Sequence, residues 1–345
     1  MAAARRRGVN LIEVAREAGV SPATVSNTLN RPDIVSPQTR TKVLAAIERL
    51  DFVPNHAAAT LRRGHNRLFG LVVPDITNPF YAEIARGVTD AADAAGYAVV
   101  LCDSQDDPVR ERRQLETLAE HRAAGALAVP LTADESRLDR LRAMGAHLVL
   151  IDRRADPAQG CSVVVDDRRG GEIATRHLLA SLPDPATDGR PLAVVNGRHD
   201  IPQCAQRHLG AADAMAAAGL DPAGLVEFQL DRMTTDAGET AGRRLARSGR
   251  LPRGVFCIND QLAIGVIRGL VAEGVRVPAD VPVIGYGDLA VAPDAPVPLT
   301  SVEQPKYAIG RHAVDRLLAE LTEGEAHQHT ATVFPPTLVV RDSAP

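Results

Sequence analysis

The chain has 345 residues, 45% of them apolar and 24% charged. That composition excludes wholesale disorder, and at about 150 residues per domain the length predicts two to three domains. No apolar run reaches the ~18–20 residues of a membrane span, and the stretch from Met1 to Arg7 lacks a signal-like apolar core, so a soluble, cytoplasmic chain is expected.

The net charge of −4 is unevenly spread: residues 1–64 carry ten bases against five acids, a head of +5 on a body of −9. A basic head on an acidic body predicts a nucleic-acid-binding module joined to something that is not one. The bland alternative is a fluctuation of solvated charge. In the head, Leu11, Ile12, Val14, Ala15 and Ala18 fall at helical spacing, and Gly19 ends that helix in a tight turn. Ser21 caps a second helix that opens on Pro22, with Val25 and Leu29 as its buried stripe. Ser36 and Pro37 repeat the cap for a third helix, with Val43, Ile47 and Leu50 turned inward. Three short helices with such a turn predict a helix-turn-helix domain; a small helical cap on an enzyme is the other reading.

From Leu68 onward, short apolar runs alternate with amphipathic stretches. Strands are predicted at Phe69–Pro74, Ala98–Asp103, Gly125–Pro130, His147–Asp152 and Ser162–Asp166. A second series follows at Leu192–Asn196, Leu225–Leu230, Val255–Asn259 and Val281–Tyr286, with a last strand near Thr337–Val340. Helices are predicted between them, among others over Pro79–Ala95, Pro108–Ala124, Gly170–Ser181, Gln206–Ala218 and Leu262–Glu273, with a surface loop at Ser181–Arg190. Alternation of this kind gives parallel sheets covered on both faces, and two series predict two such domains. Many strands end in polar residues: Asp75, Asp103, Ser104, Asp152, Asn196, Asn259, Asp260 and Asp288. Open parallel sheets bind ligands beyond their carboxyl ends, so these residues predict a polar cleft; capping of the following helices is the competing use.

Catalytic signatures are missing. The sequence has no GxSxG elbow, Walker loop, HExxH, or GxGxxG after the first strand. Cys102, Cys161, Cys204 and Cys257 are scattered without a CxxC and read as core residues. His327 and His329 form an HxH in a polar stretch and read as a solvated tail, not a metal site. No metal, no cofactor and no enzymatic activity are expected.

The run from Asn10 through Gly19-Val-Ser-Pro22 to Asn30 resembles the headpiece of the lac repressor family, and Val35-Ser36, Thr39-Arg40 and Phe52-Val-Pro-Asn55 continue the likeness. It extends through Pro74 to Tyr81, Ile151-Asp-Arg153, Arg207 to Gly210, Ile258 to Gly265, Val283 to Tyr286 and Leu299 to Gln304, nearly the whole chain. The resemblance implies an α/β protein with an all-α headpiece over residues 1–54, a hinge helix and linker over 55–66, and a periplasmic-binding-protein-like core over 67–345. Within that core it implies an N-subdomain of about 67–163 with 302–330 and a C-subdomain of about 164–301 with 331–345. The implied function is a ligand-responsive transcriptional regulator, most simply a repressor bound as a homodimer to a near-palindromic operator. A binding protein of the transport class, sharing the core alone, is the alternative.

The resemblance also implies residue roles. Pro22, Ala23 and Asn27 take base-reading positions in the major groove, where Asn27 can pair with adenine. Ser21, Thr24, Ser26 and Asn30 take phosphate-contacting positions. Asn55 caps the hinge helix, and Leu61 is the wedge inserted into the minor groove. Phe80, Tyr81, Asp152, Arg207, Asn259 and Gln304 are the implied effector contacts, with Met233 where a stacking aromatic is usual. Gly287 stands where sugar-binding relatives usually hold an aspartate. A small, carbohydrate-like effector is the expected partner besides DNA.

Overall fold

The computed structural model describes residues 9–52, 66–131, 142, 147–181 and 190–345. The chain forms two compact units, residues 1–66 and 67–345.

In the first unit, α1 (Leu11–Ala18), α2 (Pro22–Asn30) and α3 (Pro37–Arg49) surround a small core of Val14, Ala15, Val25, Val43, Ala46 and Phe52. Each start is fixed by a side chain that satisfies an otherwise unpaired helical N–H. Asn10 forms a reciprocal capping box with Glu13, Ser21 Oγ accepts from Thr24 N at 3.1 Å, and Ser36 Oγ accepts from Thr39 N at 3.4 Å. Gly19 ends α1 at φ 66°, a left-handed conformation that favours glycine. Ile12 departs from the predicted stripe and is 59% exposed, because five apolar residues in an eight-residue helix span too wide an arc for one buried face.

Among its described residues, the second unit holds two six-stranded sheets. Its elements, in chain order, are β1 (Leu68–Val73), α4 (Pro79–Ala94), β2 (Ala98–Asp103), α5 (Pro108–Glu120), β3 (Gly125–Ala128), β4 (His147–Ile151), β5 (Cys161–Val165), α6 (Asp167–Ser181), β6 (Leu192–Asn196), α7 (Pro202–Ala217) and β7 (Val226–Gln229). They continue with α8 (Thr235–Arg247), β8 (Gly254–Cys257), α9 (Asp260–Ala272), β9 (Val283–Gly287), β10 (Thr300–Glu303), α10 (Lys306–Glu323), β11 (Ala331–Phe334) and β12 (Thr337–Val339). The first sheet, β11-β5-β4-β3-β1-β2, is wholly parallel; the second, β12-β10-β9-β8-β6-β7, is parallel except for β12, which runs antiparallel to β10. Strands covered on both faces explain the apolar runs: Leu71 and Val73 pack with Ile84, Val88 and Leu317 on one side, while Val72 packs with Leu115 and Leu118 on the other.

Paired helices lie backbone to backbone where glycines meet them. A Cβ on Gly265 of α9 would fall 2.0 Å from Thr235 O of α8, and one on Gly310 of α10 would fall 2.2 Å from Ile84 O of α4. No side chain fits there.

Three expectations are corrected. Residues 302 and 303 belong to the second sheet, where Val302 pairs with Tyr286 and Glu303 with Gly287. Ala331–Phe334 belongs to the first, in parallel register with Ser162–Val165. Apolar periodicity predicts a strand but not which of two sheets receives it. His327 and His329 are not on a solvated tail: the His327 side chain is only 4% exposed, because the β5–β11 pairing draws this segment against Cys161. Asn55 and Leu61 lie outside the described residues, as do residues 182–189 of the predicted loop and the side chain of Asn30.

Candidate functional site

In the headpiece, α2 turns Val25 and Thr28 inward and leaves Ser21, Pro22 and Ala23 exposed, with Thr24, Ser26 and Asn27 half-buried. Pro22 at the first helical position loses no hydrogen bond and starts the helix cleanly. The hydroxyls of Ser21 and Thr24 lie 2.9 Å apart, and Ser21 also caps the helix. Their first duty is therefore to hold the helix start, with one hydroxyl hydrogen of the pair left over to donate to an acceptor such as a phosphate oxygen. Asn27 lies one turn beyond Ala23, so both can face a groove that accepts the helix.

In the core, one cleft of about 830 Å³, counting its open mouth, lies at the carboxyl ends of strands from both sheets. The structure brings all seven implied effector residues to its lining: Phe80, Tyr81, Asp152, Arg207, Met233, Asn259 and Gln304. Asn78 Oδ1 accepts from Phe80 N at 3.0 Å and starts α4, so the helix presents Phe80 and Tyr81 as edge-to-face rings 5.2 Å apart. Burial, then the charges of Asp152 and Asp106, holds the Tyr81 phenol above its ordinary range.

Arg207 projects from α7 and is nearly fully buried. Its Nε donates to Asp167 Oδ1 at 2.8 Å, its Nη1 donates to Ile258 O at 2.7 Å, and its guanidinium stacks 3.7 Å from the Tyr286 ring centroid. Tyr286 donates its hydroxyl to the same Asp167 oxygen at 3.0 Å. The arginine is thus built into the second sheet's half of the core before any ligand arrives.

Asp152 is the most perturbed acid of the cleft. It ends β4 at φ 57°, a left-handed turn that aspartate tolerates better than most residues. Gln203 Nε2 donates to both its carbonyl and its Oδ2, the latter at 2.9 Å, while Oδ1 is buried with no hydrogen-bond partner. Burial first, and then the charge of Asp167, pushes the carboxyl up to about 7, against the pull of Arg207 and Gln203. Gln304 carries a second buried and unpartnered acceptor, Oε1. Buried oxygens of this kind call for a donor.

Other polar strand ends have local work. Asp75 accepts from Thr77 N and Oγ1, Asp103 from Ile76 N, and Asn196 from Gly197 N. Asn259 caps α9 through Leu262 N at 2.8 Å and donates Nδ2 to Met233 O at 3.0 Å, so its role in the cleft is first to shape it. Asp260 accepts from Ser301 Oγ and Leu289 N, both at 2.6 Å, and burial still pushes it up to about 6. Sequence reasoning missed Gln203, Asp106 and Gln261 in the lining and Asp167 behind it. Gln203 had a signal: it stands four residues before Arg207, on the same face of a helix.

Residues 10–55 match the family model described as bacterial regulatory proteins, lacI family, and residues 190–344 match the periplasmic binding protein-like domain. The ribose operon repressor of Escherichia coli (strain K12) is 34% identical over 335 residues, spanning 96% of this chain and 98% of that protein. The chain belongs to the lacI family. The HTH-type transcriptional repressor PurR of Photobacterium profundum is 32% identical over 332 residues, covering 96% and 97% of the two chains. Among solved structures, the lac repressor dimer bound to operator and the anti-inducer ONPF superposes with a TM-score of 0.84 at 25% identity, covering 98% of this chain and 99% of that one. The transcriptional regulator CelR in complex with cellobiose gives 0.70 at 32% identity, covering 97% and 99%. This lacI-family chain is a ligand-responsive, DNA-binding transcriptional regulator. No described helix is long and apolar enough to cross a membrane.

Proposed function

We propose that this lacI-family protein is a cytoplasmic, non-catalytic repressor that binds a near-palindromic operator as a homodimer and responds to a hydroxyl-rich effector in the core cleft. The observation that carries the effector reading is the pair of buried, unpartnered acceptors, Asp152 Oδ1 and Gln304 Oε1. Both require donors, which sugar hydroxyls supply. Phe80, Tyr81, Met233 and Leu289 provide apolar walls for a ring. At Gly287, φ 127° disfavours the aspartate usual among sugar-binding relatives, and the space left there suits a bulkier effector than a simple pentose.

Base reading falls to Pro22, Ala23 and Asn27, backbone contact to Ser21, Thr24, Ser26 and Asn30, and the hinge functions to Asn55 and Leu61. A homodimer follows from one headpiece per half-site. Edge strand β2 supports it by leaving Val100 40% and Leu101 49% exposed, an apolar edge that a second copy would cover.

The test is a gel shift of the full chain on DNA upstream of its own gene, repeated with a panel of pentoses, hexoses, disaccharides and purines. Specific binding released or strengthened by one polyol supports the reading. Binding indifferent to every member while melting temperature rises with a non-hydroxylated ligand would overturn the effector class. A truncated chain beginning at Arg67 should bind no operator.

A further inference from the structure

Away from the cleft, at the amino end of β5, four side chains of metal-ligating type converge. Cys161 Sγ, one carboxylate oxygen of Glu320 and one ring nitrogen each of His327 and His329 all lie within 4.8 Å of one another. Cys161 opens β5, Glu320 stands in the last turns of α10, and the two histidines precede β11, whose pairing with β5 sets them beside the thiol. Cys161 Sγ is 3.2 Å from His327 Nε2 and 3.7 Å from His329 Nδ1. Tetrahedral zinc, with metal–sulfur and metal–nitrogen bonds of about 2.3 and 2.05 Å, requires sulfur–nitrogen separations of roughly 3.6 Å. The two observed values bracket that figure.

The surroundings match as well. His327 Nδ1 lies 2.7 Å from Glu323 Oε2; that carboxylate holds the imidazole by one nitrogen and leaves Nε2 for a metal, as outer carboxylates do for ligating histidines. Glu320 Oε1 accepts from His147 at 3.0 Å, while Oε2 is buried with no hydrogen-bond partner. Thr330 N lies 3.5 Å from Cys161 Sγ, placed to donate to a thiolate. Arg316 is close, its Nη1 being 3.4 Å from Thr330 Oγ1. A dication balanced by one thiolate and one carboxylate leaves it beside a neutral centre.

We propose that Cys161, Glu320, His327 and His329 form a closed, four-coordinate site for a zinc-type divalent cation, tying the end of α10 to the β5–β11 edge. One sulfur, two imidazoles and one carboxylate select zinc over calcium or magnesium, which take all-oxygen sets. Four protein ligands leave no open position, so the site is structural.

The experiment uses the full chain, reduced, stripped with chelator and titrated with cobalt(II) and then zinc. Expected are one cobalt per chain, tetrahedral visible bands, a thiolate-to-cobalt charge-transfer band in the near ultraviolet, their displacement by zinc, and a melting temperature raised by zinc. Cys161→Ser should abolish the charge-transfer band. His329→Ala, at a half-exposed ring that tolerates truncation, should weaken binding at least tenfold with the circular dichroism spectrum unchanged. Glu323→Gln should weaken it about 10–100-fold. His199→Ala with His208→Ala, in a separate cluster with Glu227, should change none of these signals. Absence of the thiolate band in the unaltered chain, its survival in Cys161→Ser, or loss of binding only in the His199/His208 variant would overturn the proposal.

Discussion

Replacing Asp152 with asparagine should stabilise the ligand-free protein while damaging its response to effector. Asp152 and Asp167 share the single charge of Arg207, so ionising both leaves an excess negative charge in a buried cluster. A carboxyl held at about 7 instead of 3.8 costs the folded, ionised state roughly 4 kcal/mol at about 1.36 kcal/mol per pH unit. Water entering the cleft screens part of this, so a gain of about 2 kcal/mol at pH 8 is the working figure. Because the folded carboxyl is raised above its unfolded value, the unaltered chain carries no penalty below about pH 4. It loses stability from there to about pH 7 and stays penalised above. The Asp152→Asn advantage should therefore be about a third as large at pH 5 as at pH 8, where it is complete. The assay is urea unfolding of the full chain at both values, followed by circular dichroism. An equal gain at both pH values, or a loss at pH 8, would refute the reasoning. In the same variant, effector affinity should fall by about 1 kcal/mol, the difference between a hydrogen bond to a charged group and one to a neutral amide, as read by calorimetry.

Arg207→Ala should destabilise the core by about 3–5 kcal/mol, because Asp167 is left as an uncompensated buried charge; thermal unfolding without ligand measures it, and an unchanged melting temperature would assign Arg207 to the ligand alone. Gly265→Ala should cost at least about 1–3 kcal/mol, since its Cβ would lie 2.0 Å from Thr235 O, again read by melting. Asn27→Ala should relax preference at one base pair per half-site by about 1–3 kcal/mol, checked by a base-substitution scan in gel shift. Leu61→Ala should weaken specific operator binding and spare most nonspecific binding, which competition with unrelated DNA distinguishes.

Much of this was legible in the sequence because its signals are local. Ser21-Pro22 and Ser36-Pro37 start helices by satisfying their own backbone, and a strand buried on both faces reads as an apolar run wherever it stands. Sheet membership is not local: Ala331–Phe334 carries the same pattern whichever sheet takes it, and only its register with Ser162–Val165 decides. The cleft followed the same divide. The family likeness brought Asp152 and Arg207 forward, but not their partners: Gln203 donates to the first and Asp167 pairs with the second. His327 and His329 read as tail residues because their neighbours, Cys161 and Glu320, lie 166 and 7 positions before His327 in the chain.

Among the described residues, the chain passes between the two sheets three times, and each passage is brief: Asp166 after β5, Gln304-Pro305 after β10, and Pro335-Pro336 after β11. At about 3.5 Å per residue, none has slack. Connections this short tie the two halves at three points and leave a turn of one half against the other as the motion they restrict least. Two of the three contain proline, whose φ is fixed, which narrows the turn further. Gln304 lies in one of these passages and also lines the cleft. An effector that donated to its unpartnered oxygen would therefore touch a connection between the two sheets directly.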